Sequence, residues 1–202
     1  MFKPKLKFTK FVAEDGSRNG NGYIEPKLPT YATTGSSGFD FYTIHDVILE
    51  PGMPMIIPTG WTVEIPKKNL EIQIRPRSGC ALKDGLTVLN TPGTIDSDYK
   101  GEICIIALWT GADTTLNNFE IREKTIPAED GMGVEAVERL LYIPAGSRIA
   151  QGVLCPIIKP EIIEDEHEKC CCCSCCEDRH CGNEKLKTET REVNGFGSSG
   201  VK

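Results

Sequence analysis

No stretch of the chain approaches the roughly 18–20 consecutive apolar residues that a membrane helix requires, so a helical span is not expected. The opening residues, MFKPKLKFTKFVAED, interleave lysines with single apolar side chains and lack the apolar core of a secretory signal. Positive charge is also short. Lys and Arg number 23 against 29 Asp and Glu, a net charge of −6, and nucleic-acid backbones normally demand a basic face. The deficit is local: ten acidic and five basic residues fall within 161–192, leaving the remainder nearly neutral. These absences argue against a membrane or nucleic-acid partner and point to a cytoplasmic location, with thiols reduced.

What the chain does contain is punctuation. Twenty glycines and thirteen prolines are spread through its 202 residues and separate many short apolar runs. Lys5 to Phe8 alternate as an edge strand does, Val47–Leu49 and Met53–Ile57 flank a Glu-Pro-Gly turn, and Trp61, Val63 and Ile65 alternate with polar neighbours. Leu70, Ile72 and Ile74 repeat that period of two. Such spacing points to one all-β domain, a barrel or sandwich rather than βαβ units. A short helix over 79–85 is predicted, burying Ala81 and Leu82. A second, over about 133–141, follows from the helical spacing of Val134, Val137 and Leu141.

The densest chemistry lies in Gly93–Trp109, GTIDSDYKGEICIIALW, where a turn bearing Asp96, Asp98 and Tyr99 runs into an apolar strand. A carboxylate on so rigid an edge suits a general base. The Gly-x-x-Asp-x-Asp-Tyr-x-Gly pattern resembles the third motif of the trimeric dUTPase family. Four companions occur in family order: ATTGSSGFDF (32–41), PRSG (76–79), GSRIAQ (146–151) and REVNGFGSSG (191–200). Singly, each has a plainer reading as a turn, a core residue or a flexible tail; five in order are far more specific.

The resemblance implies a jelly-roll-like β-barrel over residues 1–160 and hydrolysis of dUTP to dUMP and pyrophosphate. It makes Asp96 the base that orients water, and sets Tyr99 beneath the deoxyribose. Arg77, Ser78, Gly79 and Gln151 meet the phosphates, and Asp40 contacts a hydrated Mg2+. Main chain near Gly93 and Ile95, with Asn90, reads uracil. Arg191 grips the γ-phosphate, Phe196 stacks on the base, and Gly197 and Ser198 wrap the phosphates from a C-terminal arm spanning 191–202. Glu192 and Asn194 replace two family glycines, which implies weaker arm closure. Asp98 is expected to pair with Arg148. The family architecture implies a homotrimer whose sites draw on all three chains.

Two segments depart from the family pattern. The stretch between Trp109 and Pro144 is an insertion, at about 110–143, of a kind some phage dUTPases carry, and offers a surface for a protein partner. Residues 161–190 form an acidic, Cys-rich linker holding seven of the ten cysteines. There Cys170, Cys173, Cys176, His180 and Cys181 have spacings compatible with one Zn2+, although a flexible linker explains them equally. Competing functions are a dCTP deaminase-like enzyme and a regulatory protein acting through the insertion. A zinc site would retain about one ion per chain through reducing, chelator-free purification, and metal analysis finding none would remove it.

Overall fold

Among the described residues of the computed structural model, period-two patterning yields thirteen strands and one helix. Residues 4–12, 22–112, 118–127 and 134–164 are described. In chain order the elements are β1 (Lys7–Lys10), β2 (Thr30–Tyr31), β3 (Phe39–Tyr42), β4 (Val47–Leu49), β5 (Met55–Pro58), β6 (Trp61–Glu64) and β7 (Leu70–Pro76). There follow α1 (Ser78–Asp84), β8 (Leu86–Val88), β9 (Gly93–Ile95), β10 (Cys104–Trp109), β11 (Glu120–Pro127), β12 (Val134–Ile143) and β13 (Arg148–Pro156).

The strands form four antiparallel sheets, ordered β1-β6, β5-β10-β8, β11-β12-β4 and β2-β3-β13-β7-β9. Their inward faces share one core, in which Phe41, Leu49, Ile57, Ile72, Trp109, Leu141 and Ile143 are fully buried. The all-β, jelly-roll-like expectation is met. β1 lies at an edge, paired only with β6 from Lys7↔Glu64 to Lys10↔Trp61.

The five-stranded sheet positions the candidate site. Register pairs β13 with β7 from Ala150↔Pro76 to Pro156↔Leu70, and with β3 at Gln151↔Asp40, so Asp40, Gln151 and the end of β7 converge. Gly152 is required there, because an added Cβ would lie 2.6 Å from the Phe39 ring and 2.7 Å from that of Phe41.

The structure corrects two helical expectations. Val134–Ile143 is a strand, pairing with β11 and, through Leu141↔Leu49 and Ile143↔Val47, with β4. The helical spacing misled because Val137 is 52% exposed, while Leu141 and Ile143, two residues apart, fill the core. The helix at 78–84 does form, but buries Cys80 and Asp84 and leaves Leu82 75% exposed. Its inner face follows the i, i+4 pair rather than the more apolar residues.

Gly152→Ala is expected to destabilise the fold by about 1–3 kcal/mol through overpacking against the two phenylalanines. Thermal melting checks this, and an unchanged midpoint would contradict it.

Candidate active site

Asp40 leaves β3 at a buried position and accepts from Arg77 Nε at 2.8 Å and from Arg148 Nη1 at 3.3 Å. Arg148 therefore pairs with Asp40 rather than with Asp98, which is exposed at the β9–β10 turn. The carboxylate side chain is 10% exposed, against 24% for Arg77 and 49% for Arg148. The anion thus lies beneath and the cations outward. Arg77 also donates through Nη1 to the Arg148 carbonyl at 3.4 Å, tying the PRSG turn to the GSR turn.

Above this pair opens a cleft of about 310 Å³ lined by Ser36, Ser37, Gly38, Asp40, Arg75, Arg77, Ser78, Gly79 and Gln151. Three of the sequence motifs meet in it. Gln151 donates its amide to the Pro76 carbonyl at 2.8 Å, and its Oε1 lies where a Cβ on Gly38 would sit, at 2.5 Å. A side chain at position 38 would crowd Gln151. Ser78 and Gly79 are exposed at the start of α1, where backbone N–H groups lack intrahelical partners. Buried next to them, Cys80 has its thiol pushed above the usual range by desolvation, although Arg77 opposes the shift.

Arg75 was missed by sequence reasoning. It lines both this cleft and an adjoining one of about 510 Å³ bounded by Gln73, Pro76, Ser78, Thr91, Pro92 and Gln151. Strand alternation was the available signal, since Arg75 follows buried Ile74 and faces outward. Across from it, Gly93 on β9 leaves room for the Asn90 amide, which would stand 3.2 Å from an added Cβ. Asn90, Gly93 and Ile95 are thereby grouped along one strand edge.

Asp96 and Tyr99 are elsewhere. They line neither cleft, and β9 pairs with β7 through Ile72↔Ile95 and Ile74↔Gly93. Continuing that register sets Asp96 opposite Glu71, five residues before Pro76, or about 17 Å along the strand at ~3.3 Å per residue. The turn carrying Asp96 is fixed internally: Tyr99 N–H donates to the Asp96 carbonyl at 3.2 Å and the Tyr99 hydroxyl to the Glu102 carbonyl at 2.9 Å. Glu102, buried, accepts from Gly60 N–H at 2.7 Å. Gly101 lies against the Tyr99 ring, where a Cβ would approach its hydroxyl to 2.5 Å.

Among the described residues no group of three His, Cys, Asp or Glu side chains could hold a metal ion. Asp40, with both oxygens engaged by guanidinium groups, does not suit direct ligation of a protein-held ion. Arg191, Phe196, Gly197, Ser198 and the candidate zinc ligands Cys170, Cys173, Cys176, His180 and Cys181 lie outside the described residues.

Known proteins resemble this chain in sequence and in fold. The dUTPase family model matches residues 25–121. A deoxyuridine 5′-triphosphate nucleotidohydrolase of Nautilia profundicola is 38% identical over 176 residues, covering 87% of this chain and 92% of the relative. Its namesake from a Thermoanaerobacter species is 39% identical over 177 residues, covering 86% and 88%. Among solved structures, a mutant dUTPase of the S. aureus phage phi11, described for its structural Mg(II) ion, superposes with a TM-score of 0.57. At 22% identity, covering 82% of this chain and 99% of that one, it attests the fold. A second phi11 structure, described for its species-specific insert, gives 0.56 at the same identity and coverage. With relatives this similar over nearly their whole length, the chain belongs to the dUTPase family.

Proposed function

We propose that this chain hydrolyses dUTP to dUMP and pyrophosphate at sites assembled between subunits of a homotrimer. The observation that carries the assembly is the separation just described. The phosphate-facing groups Arg77, Ser78, Gly79 and Gln151 share one cleft, while Asp96 is held about 17 Å along the sheet at ~3.3 Å per residue. In this reading the Asp96 turn that serves a cleft comes from a neighbouring subunit, which brings base and phosphates to reacting distance.

In this reading Asp96 takes a proton from water as the water oxygen attacks the α-phosphorus in line. The bond from that phosphorus to the bridging oxygen breaks, and pyrophosphate leaves. Arg77, the Ser78 hydroxyl and the Gly79 amide hold charge that develops on the phosphates. Tyr99 lies under the sugar and rejects a 2′-hydroxyl, and the edge of β9 with Asn90 offers main-chain groups that pair with uracil. Mg2+, when bound with the triphosphate, neutralises phosphate charge, and Asp40 is the residue placed to meet its water shell. The segment bearing Arg191, Phe196, Gly197 and Ser198 closes over the bound nucleotide.

A protein partner at 110–143 is a second reading. Favouring it, β11 and β12 carry exposed Arg122, Glu123, Lys124 and Val137, and the dUTPase of phage 80alpha, which shares the fold, is described as controlling transfer of virulence genes. No helix among the described residues is long and apolar enough to cross a membrane. A cytoplasmic location fits both readings.

Asp96→Asn is expected to lower kcat by about 10²–10⁴-fold with the oligomer intact. Pyrophosphate release from dUTP with magnesium measures this, and retention of full turnover would reject Asp96 as the base. Truncation after Glu189 is expected to leave trimers in sizing experiments while removing most activity. Unchanged turnover would contradict the role given to Arg191 and Phe196.

A further inference from the structure

Asp84 ends α1 with its side chain only 1% exposed, yet the reaction outlined above does not use it. Its carboxylate is filled by the insertion. Oδ1 accepts from the backbone N–H of Asn118 and, at 3.1 Å, from that of Phe119; Oδ2 accepts from Asn118 Nδ2 at 2.7 Å. The same Asn118 amide reaches back to the carbonyl of Gly79 at 3.4 Å, and Phe119 packs against the core.

The helix end is held from the other side as well. Trp109 Nε1 donates to the Asp84 carbonyl at 2.8 Å, and Thr110 N–H donates to the Gly85 carbonyl at 3.0 Å. Gly85 closes α1 in the left-handed region at φ 64°, and a Cβ there would meet Thr110 Oγ1 at 2.4 Å. Both legs of the segment entering the insertion thus grip one end of a helix whose other end begins with Ser78 and Gly79. Seven residues at ~1.5 Å each give a rigid link of about 10 Å.

We propose that Asp84 and Asn118 are positioning residues, through which the base of the insertion fixes the Ser78–Gly79 loop in its phosphate-binding pose. This rests on the dUTP reading of the cleft. Asn118 supplies the only side chain among the described residues that bonds both the Gly79 carbonyl and the carboxylate at the helix end. Removing its amide leaves both backbone donors to Asp84 in place, so the insertion stays docked while the loop loses a restraint.

The test uses the full chain with magnesium and compares the wild type with Asn118→Ala and the near-isosteric Asn118→Asp, which sets a second carboxylate against Asp84. Measured are kcat and KM for dUTP, the inhibition constant of dUMP, and the melting temperature. The expected result is a KM for dUTP raised about threefold to tenfold in Asn118→Ala and further in Asn118→Asp, the effect of one lost hydrogen bond. dUMP, which offers the loop a single phosphate, is weakened by a smaller factor than dUTP in both variants. An unchanged KM in both would overturn the proposal. So would equal weakening of dUMP and dUTP, or a lowered melting temperature with unaltered constants, each of which marks a merely structural contact. A wild type inert toward dUTP would instead sink the functional reading itself.

Discussion

A buried carboxylate between two guanidinium groups is the constraint on which the candidate site depends. Arg77 and Arg148 come from turns far apart in sequence, and side by side they would repel one another. Asp40 offsets that repulsion from below, its side chain 10% exposed beneath cations that are 24% and 49% exposed. Holding two arginines on a fixed anion limits their rotamer freedom before any ligand arrives, which is how preorganised charge recognises phosphate at low entropic cost. The β3–β13 register at Gln151↔Asp40 brings this ion pair level with the amide that crosses the cleft floor.

The surrounding sheet converts that local arrangement into a rigid frame. β13 lies between β3 and β7, so residues from the first, second and fourth motifs share one hydrogen-bonded ladder. Glycine is used there where backbone or side chains must come close: Gly38 admits Gln151, and Gly152 admits two phenylalanine rings. The Asp96 turn belongs to the same sheet but to its far edge, since β9 is the last strand in the order. Its geometry is held by hydrogen bonds among Tyr99, Glu102 and Gly60.

Much of this was legible in the sequence because strands declare themselves by alternation. Trp61, Val63, Ile72 and Ile74 fell on the buried face as their spacing required. The motifs also named residues that meet in space, among them Asp40, Arg77, Ser78, Gly79 and Gln151. Legibility failed where tertiary pairing overrides local pattern. Val134, Val137 and Leu141 fit a helix by spacing, yet β4 offered Leu141 and Ile143 a strand partner, and packing decided the outcome. Ala81 and Leu82 seemed the inner face of α1, but the helix turned Cys80 and Asp84 inward because Asp84 had donors waiting in the insertion. The partner of Arg148 was hidden for a similar reason: Asp40 lies 108 residues away, and nothing local ties the two.

The distance between the two halves of the chemistry has a cellular meaning. On the proposed sharing of sites between subunits, a lone chain would carry the phosphate half of one site and the base half of another, so output would rise steeply with chain concentration wherever assembly is limiting. Freshly made chains would stay silent until enough copies accumulate to meet. A copy lacking only the Asp96 carboxylate would, on the same reading, silence the neighbouring pocket it enters while its own cleft still received an intact base.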